Sequence, residues 1–209
     1  SKRLMIFSRK DHWQKIYKTK ALEEVSWYQP IPKTSLNFIE AIKKESNPSI
    51  IDIGGGDSFL SDCLIKKGYN DITVLDISSA AISRAKKRHE NFSTKVNWIV
   101  SDILEFVPKK KYSIWHDRAA FHFLQSKHEI EIYLEILSTA LEQNGNLVIG
   151  AFAEDGPKKC CSLDVNRYSF EQFESILSKN FSILRTENIL HKTPFNTTQS
   201  FNFINAIKK

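Results

Sequence analysis

The eight residues Ile50-Ile51-Asp52-Ile53-Gly54-Gly55-Gly56-Asp57 constrain this chain more than any other stretch. An apolar run holding an acid reads as a buried strand, and the glycines directly after it open a turn with almost no side chains. Such a turn lets a nucleotide-like ligand lie against main-chain N–H groups where the next helix begins. A nucleoside-bearing cofactor is the first expectation.

Two more strands end in acids. The stretch Asn70 to Ser78 places Asp76, followed by Ile77, at a strand end where a carboxylate can accept both hydroxyls of a ribose. Lys95 to Ile103 places Ser101, Asp102 and Ile103 at the next. One strand-end acid is commonly a helix cap. Three in succession, in register with a Gly-x-Gly turn, define a ligand-binding edge. A nicotinamide dinucleotide site calls for a third, spaced glycine that lets helix and strand pack closely, and Phe59 stands there.

The acid-x-Gly-x-Gly turn with Asp76 and Asp102 resembles the class I S-adenosylmethionine-dependent methyltransferases, over residues 48 to 207. The resemblance implies that Asp52, Gly54, Gly55 and Gly56 border the methionine part of the cofactor. It places Asp76 and Ile77 at the ribose, and Ser101, Asp102 and Ile103 at the adenine. The segments His12 to Tyr17 and Val25 to Pro30 are similar to the aromatic lead-in of small bacterial and thiopurine-type methyltransferases, which folds over the cofactor. Trp13, Tyr17, Trp27 and Tyr28 are expected there, their ring faces attracting a sulfonium cation and excluding water from it.

A chain of 209 residues fits one α/β domain with a substantial core. Residues 1–47 read as a helical, aromatic lid and 48–207 as the cofactor-binding sheet and helices. Strand and helix alternate through five strands, which implies a parallel sheet with right-handed crossovers. A helix from Glu129 to Gln143 is expected to stop at Asn144-Gly145. Between the last two strands, Phe181 to Leu190 and Phe201 to Ile207, no crossover helix fits, so they should pair as a hairpin. The expected fold is a three-layer α/β sandwich: a mostly parallel seven-stranded sheet with a C-terminal antiparallel hairpin, as in the family it resembles.

Trp115 to Leu124 occupies the fourth strand end, where this family brings the methyl group to its acceptor. Asp117, Arg118, His122 and His116 are the candidate catalytic residues. Asp117 would orient an amine or take a proton, either histidine would serve as base, and Arg118 would hold an anionic substrate. The Asp-Arg step resembles that of thiopurine-type enzymes. The Asn/Asp-Pro-Pro-Tyr signature of many nucleic-acid methyltransferases is missing, which disfavours a nucleic-acid partner. The expected function is methyl transfer from S-adenosylmethionine, leaving S-adenosylhomocysteine, to sulfur, nitrogen or oxygen of a small molecule. A protein-lysine methyltransferase is the alternative, and a non-catalytic S-adenosylmethionine-binding protein a distant one.

The net charge of +6 gathers at Arg84 to Arg88, Lys109 to Lys111 and Lys158-Lys159, read as solvated surface. Cys63, Cys160 and Cys161 lack metal-ligand spacing, so no metal is expected. No apolar run suits a membrane span or signal core, which points to the cytoplasm. The segment Glu154 to Tyr168 is long for an α/β connection and reads as a lid or acceptor loop.

Overall fold

The computed structural model describes residues 7–42, 46–92 and 95–209. Residues 1–6 and 43–45 of the expected lid therefore lie outside the described residues. The chain runs α1 (Arg9–Thr19), α2 (Lys33–Ala41), β1 (Ile50–Ile53), α3 (Leu60–Lys66), β2 (Ile72–Asp76), α4 (Ser79–Arg88), β3 (Asn97–Val100) and β4 (Tyr112–Arg118). It continues through α5 (Lys127–Ala140), β5 (Leu141–Phe152), the short strands β6 (Lys159–Cys160) and β7 (Leu163–Asp164), α6 (Phe170–Leu177), β8 (Phe181–Lys192) and β9 (Thr198–Lys208). The main sheet has seven strands in the order β3-β2-β1-β4-β5-β9-β8, with β9 antiparallel to both β5 and β8. The parallel half and the closing hairpin are those expected from the sequence.

Strand parity distributes the core. Ile51, Ile53, Trp115, Leu147 and Ile149 face Tyr133 and Leu137 of α5 and Phe173 of α6. Ile50, Ile72, Val74, Ile114 and Val148 face Leu36, Phe38 and Ile39 of α2 together with Leu60, Leu64 and Ile82. Both sheet faces are thus covered by helices, which is what strands apolar on both sides require.

The end of α5 corrects the expected boundary. The helix stops at Ala140, and Leu141, which continues the apolar stripe of the helix, is instead the first residue of β5 and pairs with Tyr112. Lysines end the helix. Lys208 donates Nζ–H to the Ser138 and Leu141 carbonyls and Lys111 to that of Thr139, so the open C-terminal carbonyls meet cations. Asn144, with φ +60°, turns the chain within β5 rather than ending the helix.

The basic run on α4 is also only partly solvated. Lys86 and Lys87 are exposed, whereas Arg84 bonds to buried Asp57 and Arg88 donates to Asp62 at 2.9 Å. Both arginines tie α4 to the segment after the glycine turn. No described helix is long and apolar enough to cross a membrane, and among the described residues no cluster is placed to hold a metal ion.

Candidate active site

The carboxyl ends of β1 to β4 border a cleft of about 780 Å³, roofed by α1. Its floor begins with Gly54, whose φ of +67° favours glycine and where a Cβ would stand 2.8 Å from that of Ala120. Gly55 borders an adjoining recess. At Gly56 an added Cβ would lie 2.8 Å from Asp76 Oδ2, an oxygen that accepts the Gly56 N–H at 3.0 Å. The other Asp76 oxygen accepts the Ser78 N–H at 2.8 Å. Burial raises this carboxyl to about 6 in spite of those bonds.

Ile77, Ser101, Asp102 and Ile103 line the same wall. Asp102 Oδ1 caps the turn at Leu104, and Oδ2 faces Arg9 at 3.5 Å. Arg9 also binds Glu129 at 2.6 Å, so α1 is tethered to α5 above the cleft.

Trp13 and Tyr17 of α1 and Trp27 form the aromatic roof. The Trp13 ring centroid lies 5.0 Å from that of Phe123 and 5.8 Å from that of Trp27, both edge-on. Gln14 fastens this roof: its Oε1 accepts from Ser78 Oγ–H at 2.7 Å and from the Ala80 N–H at 3.1 Å. Tyr28 lines the recess, its ring edge-on to Phe59 at 6.1 Å.

Asp52 and His116 also reach the recess rather than the main cleft. Asp52 Oδ1 lies 2.8 Å from His116 Nδ1, and His116 Nε2 lies 2.7 Å from Ser35 Oγ on α2. A neutral imidazole donating to the carboxylate accepts the serine proton, so His116 is held on both nitrogens. Asp52 Oδ2 is buried and has no partner.

Arg118 is shared by cleft and recess. Its Nη1–H donates to the Trp27 carbonyl at 3.2 Å, and its guanidinium carbon lies 4.6 Å from the Phe201 ring centroid. Nε and Nη2 are buried with no partner, and burial pulls the group down to about 10.

The structure does not bring Asp117 and His122 to the cleft, and this corrects the expected acceptor site. Asp117 is fully buried on the α5 side of β4. It accepts the Ala120 N–H at 3.0 Å, the Phe121 N–H at 3.1 Å and the Tyr133 hydroxyl at 2.6 Å. Its carboxyl, raised to about 6 by burial, shapes the turn after the strand. His122 accepts the Phe152 N–H on Nδ1 at 3.2 Å, and burial followed by the Arg118 charge lowers it to about 3. Such an imidazole is a weak base near neutral pH.

The sequence reading passed over Arg9, Phe123, Leu124 and the alanines Ala119 and Ala120, and left the contacts of the 154–168 loop open. Arg9, Trp13 and Tyr17 recur every four residues on α1, a helical spacing that groups them. The hairpin β6–β7 brings Cys160 to the cleft and Cys161 to the roof aromatics. Arg167 stays with its own loop, donating to the Glu154 carbonyl at 2.7 Å.

A glycine turn, strand-end acids and an aromatic roof on this sheet order define a class I S-adenosylmethionine-dependent methyltransferase fold. The chain belongs to the methyltransferase-domain family, whose model matches residues 44–202, and is an S-adenosylmethionine-dependent methyltransferase. It is similar to malonyl-[acyl-carrier protein] O-methyltransferase 1 of Ilyobacter polytropus, 27% identical over 182 residues, 82% of this chain and 65% of that protein. It is also similar to the eEF1A lysine and N-terminal methyltransferase of Mus musculus, 27% identical over 146 residues, 68% of this chain and 20% of that protein. The chain thus spans less than two thirds of either relative. In fold it is similar to the N-methyltransferase NodS of Bradyrhizobium japonicum, solved with S-adenosylhomocysteine, at a TM-score of 0.71 and 14% identity over 96% of this chain and 99% of that one.

Proposed function

We propose that this chain transfers the methyl group of S-adenosylmethionine to a compact small-molecule acceptor. One observation carries the reading: a continuous cleft runs from Ser101, Asp102 and Asp76 to Arg118, Phe123 and Cys160 beneath Trp13 and Trp27. The residues fit the cofactor. Asp76 accepts the ribose hydroxyls with its remaining lone pairs, Asp102 meets the adenine amine with Ile103 and Ile77 against the ring, and the unpartnered Asp52 Oδ2 takes the ammonium. The bound cofactor supplies an electrophilic methyl on a sulfonium. The protein aligns the acceptor and excludes water from it.

Among the described residues at the Arg118 end, no carboxylate or imidazole lines the cleft, and Cys160 is the other titratable side chain there. An acceptor that needs no side-chain base suits this wall: an ionised oxygen or sulfur, or a neutral amine. The relatives named above act on malonyl oxygen or on protein lysine. A protein lysine remains the second reading, but its ammonium would enter beside a buried guanidinium, which favours the small acceptor.

Calorimetry with S-adenosylhomocysteine tests the cofactor assignments, and methyl-labelled S-adenosylmethionine offered to acid, thiol, amine, phenol and peptide acceptors tests the acceptor. Asp76→Ala is expected to weaken cofactor binding by about 1.5–3 kcal/mol, the range for one hydrogen bond to a charged group. Unchanged affinity in a folded variant would remove the ribose assignment.

A further inference from the structure

The Arg118 guanidinium has one edge satisfied and one edge bare. Nη1–H reaches the Trp27 carbonyl, and the flat face lies on Phe201. Nε and Nη2, the two nitrogens that can point parallel N–H groups the same way, have no partner although both are buried. None of the ion pairs among the described residues includes Arg118. The titratable groups facing it are Cys160 of the β6–β7 hairpin, His122 after β4 and His191 of β8, with no carboxylate among them. A buried guanidinium without a counter-ion is costly, and a two-pronged Nε/Nη2 edge matches the two oxygens of one carboxylate. That edge belongs to a residue that lines the cleft, beside Phe123, Trp27 and Cys160.

We infer that Arg118 receives the carboxylate of the methyl acceptor, which is therefore a compact organic acid with its apolar body against Trp13, Trp27 and Phe123. This names a substrate class for the function proposed above and rests on it. The methionine carboxylate of the cofactor is the other source of the same chemistry, because Arg118 borders the recess of Asp52 and Gly55 as well as the cleft.

The test is calorimetry on the full chain saturated with S-adenosylhomocysteine, using phenylacetate and hexanoate as probes with their amides as neutral controls. The acids should bind at least tenfold more tightly than the amides. Arg118→Met should erase that preference, and Arg118→Lys, which keeps the charge but not the fork, should keep a reduced one. Affinity for S-adenosylhomocysteine should change less than threefold in Arg118→Met. Because the charge is unpaired, this variant should melt no lower than the native chain; if it does not fold, Arg118→Lys carries the comparison.

Equal binding of acids and amides by the native chain overturns the inference. So does a tenfold loss of S-adenosylhomocysteine affinity in Arg118→Met with 5′-methylthioadenosine binding unchanged, which gives the guanidinium to the cofactor's own carboxylate. Failure of the underlying reading is seen separately, as labelled methyl entering peptide lysines and no small acceptor.

Discussion

His122 offers a test of the corrected acceptor site through acid stability. Its ordinary pKa is 6.5, and burial with the nearby Arg118 charge takes it to about 3 in the folded chain. The folded pKa is the lower one, so the unfolded chain binds more protons between these values. Stability from this group is fully present above pH 6.5 and is lost as pH falls toward 3. At about 1.4 kcal/mol per pH unit, the whole loss is about 5 kcal/mol, of which about 3 kcal/mol has gone by about pH 4.5.

Asp76 and Asp117, both raised to about 6, act the other way. Their contribution is present below the unfolded carboxylate pKa and is lost as pH rises through about 6, so the native profile is a difference of opposing slopes. A substitution isolates the imidazole. His122→Asn retains a side-chain oxygen for the Phe152 N–H, carries no titrating group, and gives up ring contacts with Phe123 and Phe152 whose energy is alike at both pH values. Urea unfolding at about pH 7.5 and about pH 4.5 should show His122→Asn losing about 3 kcal/mol less than the native chain on acidification. An identical pH dependence in the two proteins, or a His122 ring resonance titrating near 6.5 in the folded chain, would refute the reasoning.

Two further outcomes are expected. Tyr133→Phe removes the hydroxyl that accepts from Trp115 Nε1–H at 2.9 Å and donates to Asp117. It should cost about 2–4 kcal/mol in urea unfolding with S-adenosylhomocysteine affinity intact, whereas unchanged stability would mean that the buried chain of bonds holds nothing. Trp13→Ala opens the roof over the cleft and should weaken S-adenosylhomocysteine binding by about 1 kcal/mol or more, judged from the worth of aromatic contacts. Full affinity and turnover in that variant would end the lid reading.

What could be read beforehand was local. Gly54 to Gly56, Asp76 and Asp102 each follow a strand directly, so chain order alone puts them on one edge, and the unbroken hairpin of β8 and β9 needed only the lack of a crossover. A strand end says where the chain emerges but not which way each side chain turns. On β4 the alternation sends Trp115 and Asp117 toward α5 and His116 toward α2. Asp117 therefore has the right position and the wrong parity for the cleft. Cys160 and Arg9 arrive through a long loop and a helix packed from outside the sheet, contacts that no nearby sequence pattern specifies.

The fastening of the roof has a mechanical consequence. Gln14 holds Ser78 Oγ, the Ser78 N–H holds Asp76, and Asp76 holds the Gly56 N–H, so three links join the N-terminal helix to the glycine turn. A ligand that draws on Asp76 pulls on a line that ends at the neighbour of Trp13. Seating the cofactor and closing the aromatic helix are in this way one displacement, and the acceptor meets a chamber whose walls the first guest has already tightened.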